Sequence, residues 1–217
     1  MKRNRYTRAR RLIHWAIAAT LLFTLITIFL RATWMNKENI AEIITKELSL
    51  INLEVSKDEA VSIAKSIRSP MWEWHVYSGY LLIGLYTIRM FVFMVQGVPF
   101  RNPISRSASK REKFQSWNYI FFYLLLFASL SSGFLIEHGP DSIHHLMEEL
   151  HEYSLYWLLL FIVLHFMEVL LLELGEKKGI VSKMISGKNK QNKGKSGKSR
   201  NGKRRKKRSR SSQDSLD

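Results

Sequence analysis

The chain contains no cysteine in its 217 residues. This absence excludes disulfide bonds, iron–sulfur ligation, thiolate zinc sites and the covalent attachment of a c-type haem through a Cys-x-x-Cys-His motif. A metal or haem would have to be held by histidine, methionine or carboxylate side chains. Seven histidines are present, so histidine is the ligand type to examine first.

Charge is almost missing from four long apolar segments. They predict membrane-spanning helices at about 12–31, 71–95, 115–136 and 150–174, each able to cross ~30 Å of hydrocarbon at about 1.5 Å per residue. Four soluble core helices of this length would leave hardly any amphipathic face for water. We therefore expect an all-α membrane protein, a bundle of four transmembrane helices. A cleaved signal peptide is the alternative for the first segment, but no small-x-small cleavage site follows it.

Basic residues are concentrated on one side of the predicted spans. Residues 1–11 carry six basic residues and no acid, and residues 96–114 carry five basic residues and one acid. In contrast, residues 31–70 carry six charges of each sign, and residues 137–152 carry five acids and no Lys or Arg. The positive-inside rule then places both termini in the cytoplasm.

The long outer loop, residues 32–70, has helical features of its own. Ser56 and Glu59 predict a capping box at the start of a short helix that runs to about Ile67. Pro70 follows where the second span can begin. The helix would lie at the outer membrane surface or against a partner, or it would bury its own apolar stripe within the chain. That stripe comprises Ala60, Ile63, Ala64 and Ile67.

Four histidines, His14, His75, His151 and His165, lie in or at the edge of the predicted spans. An imidazole in hydrocarbon is costly without a partner, so each is a functional candidate. His151 and His165 are 14 residues apart, which places them on one helix face within about 40° and about 21 Å apart along the axis. With the predicted orientation, His75 is level with His151 near the outer surface. His14 is on the cytoplasmic side with His165, provided that the first helix extends into the cytoplasm or tilts.

Two transverse histidine pairs suit two six-coordinate haem irons, because paired imidazoles from separate helices fill both axial positions. Iron saturated in this way favours electron transfer over oxygen chemistry. Gly79 is one turn after His75 and removes a side chain where a porphyrin would approach. Arg89 is 14 residues after His75 and could pair with a haem propionate, or it could extend to the inner interface.

Two further histidines, His144 and His145, are weaker candidates for the outer ligand. His144 is seven residues before His151 and shares its face, so it competes with His151. It falls with His145 in an acidic, polar stretch where a solvated histidine is ordinary. His138, in a Glu-His-Gly-Pro turn, is expected to face solvent.

These residues together resemble the bacterial cytochrome b561 family. The likeness rests on Arg11-Leu12-Ile13-His14-Trp15, on His75-x-x-x-Gly79 with Arg89, on His151 with His165, and on the segment from Gly179 to Gly187. The likeness covers roughly residues 6–187. The family includes the b-type cytochrome subunits of nickel–iron hydrogenases, formate dehydrogenases and thiosulfate reductases.

The resemblance implies a four-helix bundle in the bacterial inner (cell) membrane, with two non-covalent haems b and a quinone site near the cytoplasmic haem. The ligands would be His14, His75, His151 and His165. Gln115 and Asn118, at the cytoplasmic start of the third span, are our candidates for a hydrogen bond to a quinone carbonyl. The implied function is electron transfer between an extracytoplasmic redox subunit or cytochrome and the quinone pool.

Two other functions stay open at this point. One is a stand-alone haem-b quinone oxidoreductase, which would oxidise a small reductant itself. The other is a haem-free membrane anchor or transporter whose histidines relay protons. A homodimer is compatible with either.

The domain 1–187 is followed by a basic tail, residues 188–217. From Lys183 to the end the chain has 14 Lys and Arg against two Asp, and it has too few apolar residues to form a core. We expect it to be disordered and to contact anionic membrane lipid, each charge contributing about 1 kcal/mol near the surface. Nucleic acid is the less favoured partner.

Overall fold

A computed structural model describes residues 7–175 and 179–186. Those residues form helices and connecting turns without any strand. The helices are α1 Arg8–Ala32, α2 Lys37–Leu50, α3 Lys57–Gln96, α4 Lys110–His138, α5 Asp141–Glu152, α6 Ser154–Leu174 and α7 Ile180–Ser186. The spans predicted from the sequence correspond to α1, α3, α4 and the α5–α6 segment, which are long and apolar enough to cross a membrane. The predicted fold class is confirmed.

The chain divides into two compact units, which are described separately. One comprises Met1–Arg11 and Leu164–Asp217, and the other comprises Leu12–Val163.

In unit Leu12–Val163, α3 is a single helix of 40 residues. The predicted capping box is present, because Ser56 Oγ accepts from Glu59 N–H at 3.3 Å and Glu59 Oε2 accepts from Ser56 N–H at 2.9 Å. The prediction that this helix ends near Ile67 was wrong, because α3 continues through Pro70 into the second span. A proline inside a helix removes one helical hydrogen bond, yet the residues on both sides of Pro70 stay helical.

The first part of α3 packs against α2, a helix that we did not predict within the outer loop. Asn36 caps α2 by accepting from Glu38 N–H at 2.9 Å. Ala60 and Ala64 are 0% exposed where the two helices meet, because their small side chains allow the backbones to approach closely. Half of the predicted apolar stripe is therefore buried within the chain, whereas Ile63 and Ile67 remain exposed.

The interior of this unit is formed by residues from α1, α3, α4 and α6. Phe122, Leu126 and Leu158 are its buried centre, and the rings of Phe122 and Phe161 stack at 4.1 Å. Helices in a membrane gain little from hydrophobic burial against one another, because lipid tails are equally apolar. Close van der Waals packing and interhelical hydrogen bonds must therefore hold this bundle together.

The sequence predicted one regular helix for the fourth span. The structure instead divides this span between α5 and α6. The chain passes from α5 to α6 at Tyr153, whose N–H still donates to Glu149 O at 3.3 Å. Tyr153 keeps right-handed helical backbone angles. His151 is therefore the penultimate residue of α5, and His165 lies within α6.

In the other unit, α7 carries the Met-Ile-Ser part of the motif after the fourth span. The carboxylate of Glu173 accepts from Gly179 N–H at 2.8 Å and from Val181 N–H at 3.2 Å, which compensates the exposed amides of the first turn of α7. Arg11 donates to the carbonyl of Ile185 at 3.2 Å. The predicted disordered tail, 188–217, lies outside the described residues.

Candidate functional site

His75 and His151 meet inside unit Leu12–Val163. Their ring centroids are 6.2 Å apart and the ring planes are 88° from parallel. His75 comes from α3 and is 9% exposed, while His151 comes from the end of α5. Two imidazoles from two different segments of the chain thus lie next to each other.

Hydrogen bonds on α1 fix the protonation of the His75 ring. Thr27 Oγ1 donates its proton to Thr24 O at 2.6 Å and lies 3.1 Å from His75 Nδ1. Because the Thr27 hydroxyl has only one proton, Nδ1 must donate to Thr27 Oγ1 when both bonds form. Nε2 of His75 then carries a lone pair.

The His151 ring is fixed by α4 in the same sense. Its Nδ1 lies 3.0 Å from Ser129 O and 3.2 Å from Ser132 Oγ. A backbone carbonyl can only accept, so Nδ1 carries the proton and Nε2 carries the lone pair. Metal-binding histidines are usually held by such a bond from the second nitrogen.

Gly133 of α4 provides space for the His151 ring. A Cβ at this position would be 2.9 Å from His151 Cε1 and 3.2 Å from Nδ1. Any side chain other than hydrogen would therefore displace the imidazole. The backbone of α4 thus fixes the depth of the ring and, through Ser129, its direction.

These two histidines would hold a haem iron in this unit, because each uses Nδ1 as a hydrogen-bond donor and keeps the Nε2 lone pair for a metal. Within 7–175 and 179–186, no group of three or more His, Asp or Glu side chains is placed to hold a metal ion. Two protein ligands alone suit haem, because the porphyrin provides the other four.

Trp72 packs against His75, and Arg31 packs against Trp72. The Trp72 and His75 rings stack with centroids 4.7 Å apart and planes 5° from parallel. The guanidinium carbon of Arg31, at the end of α1, lies 4.3 Å from the Trp72 ring centroid. The sequence analysis did not identify either residue.

Gly79 lies one turn after His75 and borders open space. A Cβ on this residue would meet no atom within 4 Å among the described residues. A residue next to a porphyrin would need such open space beside it. Its contact with haem remains a prediction.

Arg89 is inside the bundle and only 5% exposed. Its Nε donates to Tyr123 Oη of α4 at 3.1 Å, and its guanidinium carbon is 4.7 Å from the centroid of the Phe93 ring. Tyr86 Oη in turn donates to Tyr123 O at 3.3 Å. The guanidinium is thus held between α3 and α4, as an interior role requires, and the propionate contact stays a prediction.

His14 and His165 belong to different units. His14, on α1, is half-buried with its ring centroid 5.6 Å from that of Trp15. His165, on α6, is half-buried with its ring 6.2 Å from that of Phe166. α1 begins at Arg8, six residues before His14. The pairing itself remains a prediction.

The proposed quinone ligands Gln115 and Asn118 are half-buried near the start of α4. Between them, Ser116 is 1% exposed and donates within 2.8 Å to the carbonyls of Arg101 and Glu112. This bond ties the preceding loop to α4. Quinone binding there remains a prediction.

The competing histidines are placed differently from His151. His144 and His145 are exposed on α5. His138 is exposed as expected, but its Nε2 is also 2.8 Å from Tyr80 Oη. The ring that meets His75 is therefore that of His151, rather than that of His144.

Sequence reasoning missed Thr27, Ser129 and Gly133, which position the two rings. A usable signal was present for the first, because Thr20, Thr24 and Thr27 recur every three or four residues along an apolar span. Such spacing places hydroxyls on one helix face, where they can bond to a neighbouring helix.

The sequence model of the prokaryotic cytochrome b561 family matches residues 5–187. The chain belongs to this family. No curated protein and no solved structure matches it. The cytochrome is thus a bacterial membrane protein for electron transfer through b-type haem. The family predicted from the sequence is confirmed, because the match at 5–187 covers nearly the predicted range of 6–187. The alternative of a haem-free membrane anchor or transporter thereby loses its support.

Proposed function

We propose that this cytochrome transfers electrons across the membrane through two haems b, between an extracytoplasmic redox subunit or cytochrome and the quinone pool. The contact between His75 and His151 is the observation that carries the proposal. The His75 ring is buried and the His151 ring is half-buried, both use Nδ1 as a hydrogen-bond donor, and their centroids are 6.2 Å apart. Bound haem supplies a one-electron couple at that point.

The second haem would be held by His14 and His165 on the cytoplasmic side. The support comes from the sequence, since each histidine lies on an apolar helix and the pair repeats the outer arrangement at another depth. Arg89 is 14 residues after His75 on α3, which is about four helical turns. It would therefore lie at the depth of the second haem and bind a propionate.

Haem content of the purified full-length chain tests this proposal directly. A reduced-minus-oxidised spectrum should show b-type haem, and quantification should give two haems per chain. His151→Leu should lose about half of the haem, because one of two axial ligands is removed at one site. His144→Leu is the matched control on the same helix and should keep the full content. A colourless protein, or equal content in the two variants, would refute the assignment.

His165→Leu tests the inner site in the same preparation. We expect about half of the haem to remain, with the absorption of the outer site unchanged. Unaltered pigment in this variant would remove His165 from the ligand set.

Quinone access would lie at the start of α4, where Gln115 and Asn118 are half-buried. Their amides can donate to a quinone carbonyl. The double variant Gln115→Ala, Asn118→Leu should slow haem reduction by added quinol and leave haem content intact. An unchanged quinol-dependent rate would eliminate this site.

The orientation can be tested because the chain is free of cysteine. Single cysteines at Ser142, in the acidic segment, and at Ser107, in the basic loop, would be the sole thiols. In intact cells an impermeant thiol reagent should label the first and not the second. The reverse pattern would place the termini outside.

A further inference from the structure

The outer histidine pair has a third component that the haem-binding scheme does not require. Trp72 lies flat against the His75 ring, with centroids 4.7 Å apart and planes 5° from parallel. Trp72 is nevertheless 39% exposed. Its indole therefore contacts a buried axial ligand on one side and reaches the protein surface on another.

Arg31 places a positive charge on the same indole. Its guanidinium carbon is 4.3 Å from the ring centroid, within the range of a cation–π contact. Arg31 is in the last turn of α1, where the helix dipole favours a cation. The acids Glu148 and Glu152 of α5 and the base Arg68 of α3 also act electrostatically on Arg31, so its charge is partly compensated without being cancelled.

From these contacts we infer that Arg31 and Trp72 form the electron-exchange contact of the outer haem, a role that rests on the proposed function. Trp72 provides the exposed aromatic surface in contact with the axial ligand. An external one-electron donor would be oxidised through this contact, and the bound ferric haem would be reduced by that electron. The guanidinium of Arg31 would stabilise the reduced haem because a nearby positive charge attracts the added electron, although water partly screens the exposed Arg31. Both are positioning residues, because they act through His75.

A neighbouring tryptophan has different contacts. Trp74 is two residues away and 59% exposed. Its ring meets Phe23 and Tyr77 edge-on at 6.4 Å and 6.0 Å, in the manner of an interfacial aromatic residue. Trp74 is thus the natural control for Trp72.

The first test is the reduction potential of the outer haem in Arg31→Met. Loss of one partly screened charge near the haem should change the ratio of reduced to oxidised haem by about threefold to tenfold. That is a drop of about 30 to 59 mV for a one-electron couple. Arg31→Lys should restore most of the potential. Lys46→Met, which removes a charge from exposed α2, should have no effect. An equal shift in Arg31→Met and Lys46→Met would overturn the proposal.

The second test is the rate of electron entry, with haem content measured first. In right-side-out vesicles, external hexaammineruthenium(II) should reduce the haem of Trp72→Leu at least about threefold more slowly than that of the wild type. Trp72→Phe should recover most of the rate, and Trp74→Leu should match the wild type. A wild-type rate in fully loaded Trp72→Leu would overturn the inference while leaving the proposed function intact. If Trp72→Leu fails to bind haem, the reduction potentials of Arg31→Met and Arg31→Lys decide whether the inference holds. Absence of haem in the wild type would instead refute the proposed function.

Discussion

Replacing Gly133 by alanine is the sharpest test of the outer site. The added Cβ would lie 2.9 Å from His151 Cε1, whereas carbon atoms in contact prefer about 3.5 Å or more. The ring must therefore move by about 0.6 Å. Metal–ligand distances tolerate only about 0.2 Å, so the imidazole cannot keep both its bond to Ser129 O and its position in front of the iron.

We expect Gly133→Ala to weaken haem binding at the outer site by about 10- to 100-fold, the usual loss when a ligand's support is disturbed. The assay is titration of haem into the protein with the content determined spectroscopically, together with a redox titration. At limiting haem, the outer component should be lost first. The inner component should keep its potential.

Gly84→Ala is the matched control. Gly84 is also a glycine within a predicted span, and a Cβ there would meet no atom within 4 Å in the described part of the chain. Alanine is favoured over glycine in a helix by about 1 kcal/mol, so neither variant should lose haem through weaker helix formation. Full occupancy and an unchanged potential in Gly133→Ala would refute the reasoning that His151 is a ligand held by α4.

Four other outcomes can be measured. The 88° between the outer rings predicts a strongly anisotropic low-spin ferric EPR signal, and a signal typical of parallel imidazoles would contradict it. Gly79→Phe should lower the haem content where Gly84→Phe does not, because only the first position should face the porphyrin; equal content would remove Gly79 from the site. Ala64→Leu should overpack the α2–α3 contact at a cost of about 1–3 kcal/mol, which should accelerate proteolysis of residues 32–56 with the haem spectrum retained. Deleting residues 188–217 should leave that spectrum unchanged, and a lost spectrum would show that the tail is not peripheral.

The helices and the candidate ligands could be predicted because their signals are local. Apolar length identifies the spans, and the cost of an imidazole in hydrocarbon identifies the histidines. The sequence favoured His151 over His144 only because His144 falls in a polar, acidic stretch. Both lie on one face of α5, and only the packing of α5 against α3 and α4 decides which ring meets His75.

The supporting residues could not be predicted because they depend on the rotation of one helix relative to another. Gly133 and Ser129 matter only when that face of α4 is turned toward His151, and hydropathy carries no such information. Pro70 misled the prediction for a related reason. A proline favours a helix start, whereas the residues on both sides of Pro70 belong to one continuous helix.

The continuity of α3 restricts how the length of this protein can vary among its relatives. A single helix, α3, joins His75 to the hairpin that α2 forms with the first part of α3. Each residue inserted between Lys57 and His75 would turn this hairpin by about 100° around the helix axis relative to His75 and raise it by about 1.5 Å. Insertions of about seven residues, close to two full turns, would preserve the direction in which the hairpin points. Relatives that bind the same partner through this hairpin should therefore differ in this segment by multiples of about seven residues. Relatives with other lengths should present a different face of the hairpin to their partner.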